Sequence, residues 1–199
     1  MSVVPDLKGL VLAGGDSRRM GADKAGVLFA GQTLLDRAVQ AMQPVVGEVF
    51  VSARAEQQQI SGRSRYLLIN DTVDARGPAA GILSAHRYDE SAAWLVLACD
   101  LPLVNADVLE QLVRQRDASA DATAWSRGDG KLAEPLCTVY EPATLAGFLH
   151  HVLDGGKPSP QEWLTHQQVR LLGSHPGNAL AGVNTQQELM AIRDRNSPD

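Results

Sequence analysis

Four short apolar runs, at residues 9–13, 49–52, 66–69 and 94–98, are continuous rather than alternating, and longer amphipathic segments separate them. A strand with one solvated face alternates apolar and polar residues. A run with no such alternation fits a strand covered on both faces, as in a parallel sheet sandwiched between helices. Short runs alternating with helical segments are the pattern of strand-helix-strand units. The expected fold is therefore α/β, with three layers in a Rossmann-like arrangement and a mainly parallel central sheet.

The segments between the runs carry helical signals. Leu34, Leu35, Ala38 and Met42 form one stripe behind Thr33, a residue suited to an N-cap. Val108, Leu109, Leu112 and Val113 form another behind Asn105. Pro142 stands where a helix can begin without needing an N–H, and residues 185–195 read as the last helix. At 199 residues with 44% hydrophobic content, the chain can build one full core but not two of ordinary size. Residues 1–195 are expected to form a single domain, with 196–199 as a tail.

A net charge of −5 gives no general basic field for a nucleic-acid backbone, so any phosphate site must be local. Only Cys99 and Cys137 are present, which fits neither a disulfide framework nor a four-ligand zinc site and suits a reducing compartment; the cytoplasm is expected. No apolar run approaches the roughly 20 residues of a membrane-spanning helix, and the first residues lack the order of a secretory signal. The five histidines show no metal-ligand spacing.

In open parallel sheets, ligands bind beyond the carboxyl ends of the strands, where strand order reverses. Directly after the first run stands Ala13-Gly14-Gly15-Asp16-Ser17-Arg18-Arg19-Met20-Gly21-Ala22-Asp23-Lys24. Glycines there allow backbone N–H groups to approach an anion, and Arg19 and Lys24 can offset triphosphate charge. The loop lacks the spacing of the P-loop and of the dinucleotide fingerprint. After the fourth run, Asp100 precedes Leu101-Pro102, which sets one carboxylate at a strand end facing the cleft. One hard oxygen ligand suits Mg²⁺, which fills its remaining positions with water and substrate phosphates.

The stretch Leu12-Ala13-Gly14-Gly15-x-Ser17-x-Arg19-Met20-Gly21-x-Asp23-Lys24 resembles the signature of the MobA-like nucleotidyltransferases, particularly the molybdenum cofactor guanylyltransferases. The resemblance implies nucleotide contacts at Leu12, Ala13, Gly14 and Gly15. It gives Lys24 and Arg19 the balancing of charge at the phosphates, and Asp100 the metal. Asp71, with Gly77-Pro78-Ala79-Ala80-Gly81 after it, matches a turn that lies against the nucleoside in that family, with a helix expected from about Gly81. Related cytidylyltransferases usually read Leu-Ala-Ala-Gly at the strand end, so Leu12-Ala13-Gly14-Gly15 favours guanine. The implied reaction moves GMP from GTP to the terminal phosphate of molybdopterin and releases pyrophosphate. It also implies contacts with other proteins of molybdenum cofactor biosynthesis.

Three positions depart from the pattern, the first being Ala79, which stands where leucine is common. Ser52 stands where an asparagine is frequent, and Gly182 replaces the first asparagine of an Asn-Val-Asn-Thr motif. Asn184 retains a role near the metal or acceptor, against the alternative that it shares the capping of the last helix with Thr185. Glu134-Pro135-Leu136 falls toward the acceptor side in the family, with no chemistry assigned. The loop Gly155-Gly156-Lys157-Pro158-Ser159-Pro160 could hold a pterin or its phosphate, or be a plain surface loop. A cytidylyltransferase, a sugar-phosphate nucleotidyltransferase and a GTP-binding accessory protein of the same fold stay open at this point.

Overall fold

The computed structural model describes residues 4–14, 23–127, 130–173, 178–183 and 185–195. Its elements in chain order are β1 (Leu7–Leu12), β2 (Leu28–Phe29), β3 (Gln32–Thr33), α1 (Leu34–Met42), β4 (Val49–Ala53), β5 (Leu67–Asn70), α2 (Pro78–Tyr88), β6 (Ala93–Ala98), α3 (Ala106–Arg114), β7 (Ala122–Arg127), β8 (Leu132–Tyr140), α4 (Pro142–Leu153), α5 (Pro160–Thr165), β9 (Val169–Leu172) and α6 (Gln186–Arg195). The main sheet has seven strands in the order β5-β4-β1-β6-β8-β7-β9. Only β8 runs against the others, pairing antiparallel with both β6 and β7. All four apolar runs became strands of the parallel half, as their lack of alternation requires.

Alternate residues of the central strands feed two separate cores. Val11, Leu95 and Leu97 pack into the face covered by α1, α3 and α6, with Leu35, Leu109 and Leu112. Leu10, Leu12, Trp94 and Val96 point to the other face, against Ile82 of α2, Leu145 of α4 and Leu164 of α5. Every residue of β6 is buried. This is the three-layer arrangement, and it explains why these runs are apolar throughout.

Helix starts obey the expected chemistry. The Thr33 hydroxyl accepts from the Asp36 N–H at 3.0 Å, and Asn105 Oδ1 accepts from the Val108 N–H at 3.1 Å. Thr185 Oγ1 accepts from the Glu188 N–H at 3.1 Å, so Thr185 caps the last helix. Helix α2 begins at Pro78, three residues before the expected start near Gly81. The reason is that Gly77 takes φ 67° and ψ −149°, a conformation essentially confined to glycine, and Pro78 then enters the helix at once.

Among the described residues, five elements were not expected, including the short paired strands β2 and β3. Strands β7 and β9 carry polar residues such as Thr123, Ser126 and Arg170, and β8 extends back to Leu132 rather than starting at Cys137. Helix α5 arises in the Pro158-Ser159-Pro160 loop, where Ser159 Oγ accepts from the Glu162 N–H at 3.3 Å. Lys157 pairs with Glu162. These contacts account for the composition of that loop, and none of its residues lines the main cleft at the carboxyl ends of the parallel strands.

Helix α2 crosses β1 and β4 closely at Gly81. A Cβ there would stand 2.2 Å from Ser52 Oγ and 2.8 Å from Leu12 Cδ2. The glycine is thus demanded by packing beneath the cleft. Gly81→Ala should destabilise the protein by about 1–3 kcal/mol through overpacking, measured as a lower urea midpoint at unchanged slope.

Candidate active site

Strand order reverses between β1 and β6. From β1 the chain moves outward to β4 and β5, then returns to the opposite side of β1 as β6. The two strands pair in register up to Leu12 opposite Ala98. Their carboxyl ends therefore release Gly14 on one side and Asp100 on the other into the same crevice. A cavity of about 360 Å³ opens here, lined from β1 and its loop by Leu12, Ala13, Gly14 and Lys24, and from β6 by Ala98, Cys99 and Asp100. Its far wall is made by Ser52, Arg54, Asp71 and the start of α2 at Gly77 and Pro78.

Lys24 and Asp100 meet in this crevice, with Nζ donating to Oδ2 at 3.1 Å and side-chain exposures of 21% and 26%. A pair so open to water adds on the order of 1 kcal/mol to stability at most. Its weight is positional, since it sets a cation and an anion side by side at a strand tip. The Asp100 backbone is also held: its carbonyl accepts from the Val183 N–H at 2.9 Å. Next to it, the Pro102 carbonyl accepts from Arg37 Nε at 3.3 Å and Nη2 at 3.0 Å.

The segment ending at Val183 thus backs directly on Asp100. A Cβ at Gly182 would lie 3.7 Å from Leu101 Cδ2 and 3.8 Å from the Asp100 carbonyl, an ordinary contact. Glycine is not sterically required there. Of the residues expected in the site, Leu12, Ala13, Gly14, Lys24, Asp71 and Asp100 are brought together. Gly15, Arg19 and Asn184 lie outside the described residues.

Asp71 stands at the end of β5, where its N–H donates to the Ala53 carbonyl at 3.3 Å. Its Oδ1 accepts from the Ser52 hydroxyl at 2.5 Å. A Cβ on Gly14 would be 3.5 Å from Asp71 Oδ2, so Gly14 and this carboxylate are neighbours. Burial pushes the Asp71 pKa above its ordinary value; the Ser52 hydrogen bond and the Arg54 charge act the other way. Ser52 therefore takes a defined part as the donor that orients and stabilises the Asp71 carboxylate.

Two kinds of chemistry can be set aside on the same geometry. Burial pushes the Cys99 thiol up to about 12, so it stays protonated at neutral pH and is no nucleophile. Among the described residues, no group of three or more His, Cys, Asp or Glu side chains could hold a metal by itself. A cation bound at Asp100 would take one protein oxygen and complete its shell with water and ligand phosphates. That donor set fits Mg²⁺. Also among the described residues, no helix is long and apolar enough to cross a membrane.

Sequence reasoning missed Arg63. Its side chain is wholly buried, and it binds both the Ala13 carbonyl and the Asp23 carboxylate. In the sequence it sits in a polar stretch beside Arg65, which is 59% exposed, and nothing local separates the two. Arg37 was missed for the same reason.

Residues 9–171 match the family model of the MobA-like NTP transferase domain. The molybdenum cofactor guanylyltransferase of Shewanella loihica is 29% identical over 192 residues, 96% of this chain and 97% of that protein. A molybdenum cofactor biosynthesis bifunctional protein of Synechocystis sp. is 36% identical over 142 residues, 71% of this chain but 41% of that longer protein. The crystal structure of molybdopterin-guanine dinucleotide biosynthesis protein A from Archaeoglobus fulgidus superimposes with a TM-score of 0.77 at 26% identity, covering 94% of this chain and 97% of that one.

The half-buried Asp71 carboxylate should titrate above 3.8, and Ser52→Ala should raise its midpoint further by removing a donor to the charged form. A folded-state pKa above the unfolded one means that ionised Asp71 costs stability at neutral pH. That cost is relieved as pH falls through the folded pKa toward 3.8. NMR titration of the side-chain carboxyl, in both proteins, measures the two midpoints directly.

Proposed function

The chain belongs to the MobA-like NTP transferase family, and on that premise we propose that it transfers GMP from GTP to the terminal phosphate of molybdopterin, releasing pyrophosphate. The observation that carries this reading is the meeting of Lys24 and Asp100 at the switch point, beside the glycine-bearing end of β1 and opposite Asp71. The name of the Shewanella loihica relative, which spans nearly the whole chain, supports the choice of nucleotide and acceptor.

In this reading the triphosphate lies along Ala13, Gly14 and Lys24, with the nucleoside toward Ser52, Asp71 and Gly77. Gly15 and Arg19 extend the phosphate contacts, and Asn184 stands toward the metal or acceptor. A carboxylate such as Asp71 can accept from the two N–H donors on one edge of guanine, an arrangement cytosine does not offer. The acceptor phosphate is anionic at neutral pH, so attack on the α-phosphorus needs no general base. Its oxygen forms the new P–O bond as the bond to pyrophosphate breaks. Lys24 neutralises charge that grows on the α-phosphate, and Asp100 holds Mg²⁺. The ion supplies Lewis-acid stabilisation of the phosphate oxygens when bound.

The native ion pair has a place in this scheme. Without substrate, the Lys24 ammonium neutralises Asp100; with a triphosphate in the crevice Lys24 would turn to phosphate, and the Asp100 carboxylate would be the residue to hold a divalent cation. Proximity and charge neutralisation then supply the rate enhancement, as in phosphoryl transfer generally.

The decisive experiment incubates the protein with labelled GTP, Mg²⁺ and molybdopterin and identifies the product by mass, with CTP in a parallel reaction. The dinucleotide should form from GTP; formation from CTP alone would overturn the nucleotide assignment. Asp100→Ala should remove almost all turnover, and Lys24→Ala should lower kcat with a smaller loss of GTP binding. Wild-type rates in Asp100→Ala would exclude its metal role.

A further inference from the structure

Ala13 follows the end of β1, and Asp23 immediately precedes Lys24 in the sequence. The two residues are joined by one side chain. Arg63, from the short helical turn Arg63–Arg65 that precedes β5, is wholly buried. Its Nη2 donates to the Ala13 carbonyl and, at 2.8 Å, to Asp23 Oδ1. Its Nη1 donates to Asp23 Oδ2 at 2.5 Å and to the Ile60 carbonyl at 3.0 Å. Ser61 adds a hydroxyl donor to Asp23 Oδ2 at 2.5 Å.

We propose that Arg63 is a positioning residue of the nucleotide site: its guanidinium clamps the two ends of the Ala13-to-Asp23 segment together and so sets where Lys24 stands against Asp100.

Four observations support this assignment. First, the contacts are directional at both ends, a carbonyl at one and a two-point carboxylate at the other, which only a planar fork of donors can satisfy at once. Second, Asp23 passes the constraint on. Its side chain accepts from the Ala25 N–H at 3.4 Å and its carbonyl from the Gly26 N–H at 3.1 Å, so Asp23 caps the 3-10 turn Lys24–Gly26 that carries the lysine. Third, Lys24 Nζ already lies 3.1 Å from Asp100 Oδ2, which leaves little room for its backbone to drift without breaking that approach. Fourth, a buried charge is costly unless paired and hydrogen-bonded, and this one meets Asp23, Ala13 and Ile60 through both Nη atoms, with Nε left without a partner, although Arg63 belongs to no strand of the seven-stranded sheet. Arg63 does not itself line the crevice, but Ala13 and Asp23, which it binds, do; its action passes through Asp23 to Lys24.

The inference rests on reading the crevice as the triphosphate site, and its test separates the two. Arg63→Lys keeps the charge but cannot bridge both ends; Arg63→Met removes the charge as well; Ser61→Ala weakens only the hold on Asp23. For Arg63→Lys, kcat for nucleotide transfer should fall about 100-fold with a smaller change in KM, the cost of misplacing a charged group by about 1 Å. Ser61→Ala should lose less. For a smaller replacement, Arg63→Ala, millimolar guanidinium should restore part of the lost turnover, which a loss due only to misfolding would not show. Hydrogen exchange at the Ala25 and Gly26 amides, read without any substrate, should quicken in Arg63→Lys relative to the amides of β6. Unchanged kcat and unchanged exchange in a folded Arg63→Lys protein would overturn the proposal. So would losses in all variants that track only the unfolded fraction and resist guanidinium. If wild-type protein makes no product while exchange at Ala25 and Gly26 still responds to Arg63, the transfer reaction is wrong and the clamp stands.

Discussion

The parallel pairing of β1 with β6 is the constraint on which the rest depends. Both strands are buried on both faces, and their register runs from Leu7 opposite Ala93 to Leu12 opposite Ala98. Because they end level, the loop leaving each strand must emerge at the same rim of the sheet. The chain leaving β1 brings Gly14, and the loop after β6 brings a carboxylate. The crevice is thus a consequence of strand order, and its chemistry is a consequence of two short loops.

The loops are held by polar contacts at defined points. Arg37 secures the Pro102 carbonyl, Val183 secures that of Asp100, and Arg63 joins Ala13 to Asp23. These contacts come from α1, from the segment before α6 and from the turn before β5, three parts of the chain far apart in sequence. Such anchoring fits a site that works by alignment. Where the nucleophile is already charged and no proton need be moved, rate depends on how well fixed charges match those that develop in the reaction.

The far wall of the crevice is built differently. Gly77 opens α2 through a backbone conformation that other residues resist, and Gly81 lets that helix settle against Ser52 and Leu12. Ser52 in turn donates to Asp71. A larger residue at either position would alter the approach of α2, so the placement of Ser52 and that of Gly81 are linked through one contact. Serine where relatives of the signature frequently carry asparagine therefore does not leave the wall without a polar group. It supplies a hydroxyl whose partner is the Asp71 carboxylate.

Much of this could be read from the chain itself. Continuous apolar runs identified four of the parallel strands, since burial on two faces removes any alternation, and Thr33, Asn105 and Pro142 marked helix starts because end-capping is local chemistry. Gly14, Lys24, Asp71 and Asp100 were legible as candidates because they follow the strand-forming runs. Strands β7 and β9 and the backward extension of β8 were not legible, because they depend on neighbours supplied by pairing; the early start of α2 turns on the backbone conformation of Gly77. Arg63 and Arg37 were hidden for the same reason: an arginine in a polar stretch looks the same whether it ends in water or in the core. Only tertiary structure decides which, since the partners that make burial of a guanidinium tolerable, Ala13 and Asp23 for Arg63, lie 50 and 40 residues away.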